Sequence, residues 1–330
     1  MQNLGIAITG SGSAVPATSL HNQTLSELVE TSDEWITTRT GIRQRRLALP
    51  SESLSVLATA ASSQAIAASG IKPEDLDLIV LATSTPDDLF GSACQVQAKL
   101  GATNAVAFDL TAACSGFVFG LVTAAQYIRT GVYRNVLLIG ADILSRWVDW
   151  EDRRTCVLFG DGAGAVVLQA AKSDRLLGFA LKSDGTQNHY LNLAYAGNSQ
   201  ELLTDINITK GTYQPITMNG KEVYRFAVQK VPEIIDKALF QANISVDQID
   251  WLILHQANQR IIDAVAQRLN IPEHKVISNL AHYGNTSAAS IPLALDEAVR
   301  QGKIKPNDIV ATSGFGAGLT WGAAIFQWGR

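Results

Sequence analysis

Charge is the scarcest ingredient of this sequence. Only 17% of its 330 residues are Asp, Glu, Lys or Arg, against about 25% in an ordinary soluble domain. Much of the chain must therefore be interior or interface. The charge that exists is balanced. The 26 basic and 30 acidic residues give a formal net charge of −4 with no run of one sign, which removes the electrostatic footing of a nucleic-acid-binding protein. Cysteine is rare as well. Cys94, Cys114 and Cys156 are odd in number and lack C-x-x-C spacing, which argues against a disulfide framework and a zinc site and fits a reducing cytoplasm. The five histidines form no H-E-x-x-H or H-x-x-x-H pattern, so no metal is expected.

A long unbroken hydrophobic run is also missing. Residues 1–26 carry no formal charge, but Gly, Ser, Thr and Pro interrupt them every few positions, unlike the basic start and apolar core of a secretory signal. Leu4–Thr9 reads as a first strand. Leu110–Ile128 is uncharged and near bilayer length, yet it holds Thr111, Ser115, Gly116, Gly120, Thr123 and Gln126. It reads as a turn and a helix buried on all sides, with no membrane role. With 47% apolar residues, the chain is long enough for two units or one duplicated unit.

What is present is a repeat. Ile71–Leu81 aligns without gaps on Ile244–Leu254 at an offset of 173 residues, and Asn135–Gly140 falls on Asp308–Ser313 at the same offset. Gly164–Gln169 matches Gly322–Gln327 at a smaller offset of 158, so the first half holds about 15 extra residues around 142–160. Each half reads as alternating helices and buried Val/Ile/Leu strands, an α/β layered architecture with a site where the halves meet.

Three positions carry the chemistry. Cys114 lies in the turn between the strand Asn104–Leu110 and the helix Phe117–Arg129, where helix N–H groups would favour a thiolate and lower the pKa. Cys94 and Cys156 lack that placement and read as packing residues. His255 ends the buried run Trp251–Leu254 where the other half has Ala82; His21, His189, His274 and His282 read as surface or loop residues. Asn285 opens the Gly284–Ser290 turn, which matches the Cys114 turn at the 173 offset. There it is either a helix cap or a catalytic amide. Gly314–Gly318 can turn backbone N–H groups to an oxyanion, and Gly160–Gly164 reads as a tight approach to a closing strand. Gly10-Ser11-Gly12 is half a dinucleotide fingerprint without its third glycine.

Together Thr31–Ile36, Arg39–Ile42, Ala112–Phe117, Phe159–Gly164, His255–Asn258 and Gly284–Ser290 resemble the β-ketoacyl-acyl-carrier-protein synthase III family over essentially the whole chain. Tyr283 departs from members that carry His there. The resemblance implies an α/β thiolase-like fold, five-layered α-β-α-β-α. Its two pseudo-twofold-related halves would be 1–172, with the Cys, and 173–330, with the His and Asn. It implies that Cys114 takes a short acyl group from acyl-coenzyme A, and that malonyl-acyl-carrier-protein decarboxylates against His255 and Asn285 and condenses with it. Cys114 and Ala317 would supply the oxyanion hole. Trp35 and Arg153 would flank the adenine of coenzyme A, with Arg39 and Asn258 on its phosphates and pantetheine. Gln256, Ala257, Asn258, Gln259, Arg260, Arg225 and Arg268 would meet the carrier protein. Phe90 would reach into the acyl pocket of a partner subunit, making a cytoplasmic homodimer that uses no cofactor besides the coenzyme A thioester as substrate. The alternatives are a related thiolase-fold condensing enzyme of secondary metabolism, a nicotinamide oxidoreductase built on Gly10-Ser11-Gly12, and a non-catalytic scaffold.

Overall fold

The computed structural model describes residues 4–329, so Met1–Asn3 and Arg330 lie outside it. Strands β1 (Gly5–Ala14), β2 (Leu78–Ala82), β3 (Val106–Leu110), β4 (Asn135–Ile143) and β5 (Asp161–Ala171) form one sheet in the spatial order β1-β5-β4-β2-β3. β2 is parallel to β3 and β4, while β5 runs antiparallel to β4 and β1. A second sheet holds β6 (Leu176–Ser183), β7 (Trp251–Leu254), β8 (Val276–Ile277), β9 (Ile309–Gly316) and β10 (Thr320–Gln327), ordered β6-β10-β9-β7-β8. Its pairing directions repeat those of the first sheet.

Burial on both strand faces dictates layers. Along β2, Leu78 and Val80 join one core while Ile79 and Leu81 join another, the period of two that a pleated strand imposes. The first core is central. It packs Phe117, Val118 and Leu121 of the helix Gly116–Arg129, and Ile291 and Leu295 of the helix Ser290–Arg300, between the two sheets. The helix Leu54–Ser69 covers the outer face of the first sheet. Helices Gly220–Ala242 and Gln259–Arg268 cover that of the second. Five layers result, as expected of the thiolase-like fold. The uncharged Leu110–Ile128 stretch is the end of β3, a turn and a central helix. Among the described residues no helix is long and apolar enough to cross a membrane.

Two readings of the sequence change. Gly10 and Gly12 lie inside β1, and added Cβ atoms would fall 2.3 Å from the Ala65 carbonyl oxygen and 2.2 Å from that of Ala61. They let the strand touch a helix backbone and form no phosphate loop. The repeat also slips by one. Leu78 pairs with Val136 and Trp251 with Val310, so the offset grows from 173 to 174 because the second half holds one more residue between those strands. The turn Ala113–Ser115 therefore corresponds to Ser287–Ala289, and Cys114 to Ala288, not Ser287. Each turn opens on a residue of positive φ, Ala113 at 46° and Ser287 at 51°.

The halves hold each other's turns. A Cβ on Gly140 would lie 2.1 Å from the Ala288 carbonyl oxygen, and one on Gly314 would lie 3.0 Å from Cα of Ser115 and 3.2 Å from the Cys114 carbonyl oxygen. Residues 144–160, the extra segment of the first half, connect β4 to β5. An exposed hairpin, Tyr195–Leu203 paired with Ile206–Tyr213, fills much of the remaining connection.

Candidate active site

The β3-to-helix turn sets Cys114 at the junction of two cavities, with the residue itself only 7% exposed. One, of about 360 Å³, is lined by Cys114, Phe159, His255, Asn285 and Phe315, and opens past Lys221, Tyr224 and Arg260. The other, of about 700 Å³, runs past Leu89, Leu144, Trp147, Leu191, Ile216 and Ala317. The three expected catalytic side chains thus share one chamber.

The Cys114 thiol differs from the sequence expectation. Burial pushes its pKa up to about 12, a hydrogen bond from the Ser287 side chain opposes the rise, and the Asp142 carboxylate adds to it. Desolvation of the thiolate outweighs the helix N-terminus, so the resting nucleophile is a thiol.

His255 ends β7 with its N–H donated to the Ser313 carbonyl at 2.8 Å. Its Nδ1 lies 2.7 Å from Ser290 Oγ, which also accepts the Gln256 N–H at 3.3 Å. Ser290 therefore directs its own proton to Nδ1. This assigns the tautomer with hydrogen on Nε2. Burial lowers the His255 pKa to about 3, and the ring stands edge-on to Phe315 with centroids 5.3 Å apart. The ring is a neutral donor.

Asn285 is held from both sides of its backbone. Its N–H donates to the Leu158 carbonyl at 2.8 Å, and its carbonyl accepts from Gly160 at 3.0 Å. That crossing needs glycines: a Cβ on Gly160 would lie 2.2 Å from the Tyr283 oxygen, and Gly284, at φ +67°, sits 2.7 Å from the Leu158 oxygen by the same measure. Oδ1 accepts the Ser287 N–H at 2.9 Å, which leaves Nδ2–H for the cavity. The cap and catalytic readings merge here, because capping fixes which end of the amide faces inward.

The remaining expected residues divide. Trp35 is sandwiched by guanidinium groups, with Cζ of Arg39 4.6 Å and Cζ of Arg153 5.2 Å from its ring centroid. Arg153 also donates to the Glu30 carbonyl at 2.9 Å. Asn258 caps the helix Gln259–Arg268 through the Arg260 N–H and donates to the Arg39 carbonyl at 3.1 Å. Arg260 lies over Tyr224 at the chamber mouth, while Arg225 is paired with Glu222 at 3.1 Å and Arg268 donates to the Val228 carbonyl. Ala257 lines the chamber. Gln259 is engaged at both ends, by Asp263 and Ser278. Gln256 must be corrected. It is 1% exposed, with its amide joined to Leu254 and Asn279, so its side chain braces the strand end and offers nothing to a docking partner. Phe90 is fully exposed and lines a groove with Cys94 and Phe108 that lacks Cys114 but shares Ser84, Pro86, Leu89 and Thr111 with the larger cavity.

Sequence reasoning missed Ser290, Ser287, Phe315 and Lys221. Only the first had a signal: it is the residue that opens the second central helix. Among the described residues no group of three or more His, Cys, Asp or Glu side chains is placed to hold a metal ion.

The models described as 3-oxoacyl-[acyl-carrier-protein] synthase III and its C-terminal part match residues 108–185 and 239–328. The chain is 85% identical over 330 residues to the β-ketoacyl-[acyl-carrier-protein] synthase III of Trichormus variabilis, covering all of both. It is 68% identical over 327 residues to that of Synechococcus elongatus, covering 99% and 98%. The crystal structure of the Aquifex aeolicus synthase III superposes with a TM-score of 0.90 at 44% identity, covering 98% of this chain and 100% of that one. The priming β-ketosynthase of the R1128 polyketide pathway superposes with a TM-score of 0.92 at 34% identity, covering 100% and 98%. With the fold, the chamber and these likenesses in hand, the chain belongs to the β-ketoacyl-acyl-carrier-protein synthase III family.

Proposed function

We propose that this protein performs the first condensation of dissociated fatty acid synthesis, joining a short acyl group from acyl-coenzyme A to the two-carbon unit of malonyl-acyl-carrier-protein. The supporting observation is the convergence of Cys114, a neutral His255 and the Nδ2 end of Asn285 on one chamber. In the first step the Cys114 sulfur attacks the thioester carbonyl, its C–S bond to coenzyme A breaks, and the thiol proton leaves with the coenzyme A sulfur. The N–H groups of Cys114 and Ala317 are the donors we assign to that oxyanion. In the second step the malonyl carboxyl leaves as CO2, and its electron pair becomes an enolate. Nε2–H of His255 and Nδ2–H of Asn285 stabilise the enolate oxygen without a formal cation. The enolate carbon attacks the acyl-cysteine, the C–S bond breaks, and the Cys114 thiolate takes one proton from solvent. A cysteine so reluctant to stay ionised is a poor nucleophile at rest and is readily reprotonated at the end.

The Trp35 sandwich supports an adenine subsite, since indole and guanidinium planes both accept a purine face. Lys221 and Arg260 at the mouth support the approach of an acidic carrier protein. A fully exposed Phe90 supports a homodimer in which it enters the partner's pocket. The two halves, divided at 172 and 173, would then supply the nucleophile and the decarboxylating pair, and the cytoplasm is the compartment this reading implies. Intact-mass measurement after brief exposure to acetyl-coenzyme A tests the nucleophile. One acetyl group on wild type and none on Cys114→Ser is expected, and an adduct on both would remove Cys114 from the role.

A further inference from the structure

The largest fully buried side chain among the described residues is a charged one, Arg45. It stands in the short strand Gln44–Arg46, which pairs antiparallel with Ser19–His21. Its Nη1 donates to the Leu20 carbonyl at 3.0 Å. The two hydrogens of Nη2 go to Asn22 Oδ1 at 2.8 Å and to the Val157 carbonyl at 2.9 Å. All three acceptors are neutral. Burying a cation on neutral acceptors costs stability that an apolar side chain of similar volume would spare. What the apolar side chain could not do is hold three acceptors in the fixed directions of a planar fork.

One arm of the fork reaches the helix Asp33–Thr40, which carries Trp35 and Arg39. Asn22 is 1% exposed and presents Oδ1 to Arg45. Its two Nδ2 hydrogens therefore point the other way. One goes to Oδ1 of Asp33, the first residue of that helix, at 2.8 Å, and the other to the carbonyl of Ile42, just past its Gly41 cap, at 2.7 Å. A single amide thus ties both ends of the helix, and Arg45 sets which end of the amide faces it.

The other arm reaches Asn285. Val157 is followed by Leu158, whose carbonyl accepts the Asn285 N–H at 2.8 Å, and then by Gly160, whose N–H donates to the Asn285 carbonyl at 3.0 Å. The arginine stem packs on the same crossing. Cβ atoms added to Gly160 and Gly284 would lie 3.2 and 3.3 Å from Arg45 Cβ. Arg45 itself lines neither cavity at Cys114.

We propose that Arg45 is a positioning residue that joins the coenzyme A subsite to the decarboxylating amide, holding the Trp35 helix through Asn22 and the Asn285 crossing through Val157. The inference rests on the roles given above to Trp35 and Asn285.

Arg45→Lys keeps the charge but replaces the fork by a point donor. Assayed well below its Tm, this variant is expected to raise KM for acetyl-coenzyme A in Cys114 acetylation, and to lower kcat for CO2 release from malonyl-acyl-carrier-protein. Each change should be about five- to tenfold, the scale of one lost hydrogen bond. Asn22→Ala cuts only the helix arm, so KM should rise by a similar factor with CO2 release as in wild type. In the double variant KM should rise no further than in the larger single one, because both substitutions break one connection. A residue that merely supports the fold would lower Tm and leave both parameters in place at the assay temperature. That result, a change in only one parameter for Arg45→Lys, or additive effects on KM would overturn the proposal. Should Arg45→Lys fail to fold, Asn22→Ala decides: a raised KM with CO2 release intact supports the proposal, and an unchanged KM or a loss in both steps overturns it. Trp35→Ala and Asn285→Ala, run alongside, separate the two kinds of failure. If either leaves its own step untouched, the assigned role falls and the proposal with it; if both act and Arg45→Lys does not, the proposal alone falls.

Discussion

Ser290 Oγ stands 2.7 Å from Nδ1 of His255 and simultaneously accepts the Gln256 N–H, so a helix-opening serine decides which imidazole nitrogen carries hydrogen. Ser290→Ala would leave the ring free to hold either tautomer. Decarboxylation of a malonyl thioester should slow about tenfold, the scale of one lost hydrogen bond to a catalytic group. Acetylation of Cys114 should be spared. Equal loss in both half-reactions would place Ser290 in general support of the fold instead.

Asn285 offers a paired test of amide orientation. Asn285→Ala removes a donor to the enolate and should lower malonyl decarboxylation by roughly 10²–10³. Asn285→Asp keeps an acceptor for the Ser287 N–H but turns an anion toward the enolate, so its loss should exceed that of the alanine variant. CO2 release measured side by side gives the order.

The buried, neutral His255 also sets a pH limit on stability. Its folded-state pKa, about 3, lies below its ordinary value of 6.5. Protons therefore favour the unfolded chain as pH falls below 6.5, and the stability present above that pH is progressively lost down to about 3. At pH 5 the loss should be about 2 kcal/mol. Denaturant melts of wild type and His255→Gln at pH 7 and 5 measure it: the variant should lose less, and an equal loss would place the effect on other groups.

Gly160→Ala would press a methyl group against the Tyr283 carbonyl, and the strand crossing that carries Asn285 would have to open. Overpacking of this kind costs about 1–3 kcal/mol. A lowered Tm together with slowed decarboxylation is expected. A normal Tm with normal decarboxylation would show that the crossing tolerates more room than its geometry allows.

Arg153 lies directly on Trp35, so a purine can enter between them only when the arginine lifts away. Trp35→Ala should raise KM for acyl-coenzyme A by about 5- to 100-fold, the range of one base–aromatic stack. The same variant should leave KM for malonyl-acyl-carrier-protein unchanged. A rise confined to the carrier-protein substrate would move Trp35 to the other partner.

Much of this was legible in the sequence, for reasons that can be named. β2 and β7 read as strands because Leu78–Ala82 and Trp251–Leu254 are apolar at every position, as strands buried on both faces must be. Cys114, His255 and Asn285 could be singled out because each lies just past a strand or in the turn ahead of a helix. The acidity of Cys114 was misjudged, because a helix N-terminus is visible in sequence whereas the desolvation that overrides it depends on residues far along the chain. The one-residue slip in the repeat was hidden because apolar strands align equally well a step either way. Only the pairing of Leu78 with Val136 and Trp251 with Val310 fixes it. Gln256 looked like a surface polar residue since nothing local reveals that Asn279 comes back to meet it.

Gly140 resting on Ala288, and Gly314 on Cys114 and Ser115, bind the histories of the two repeats together. The extra segment 144–160 belongs to one copy alone. Along this seam neither copy could acquire a side chain without deforming the other's turn. The nucleophile is encoded in one repeat, but the mould that shapes its turn is inherited with the other.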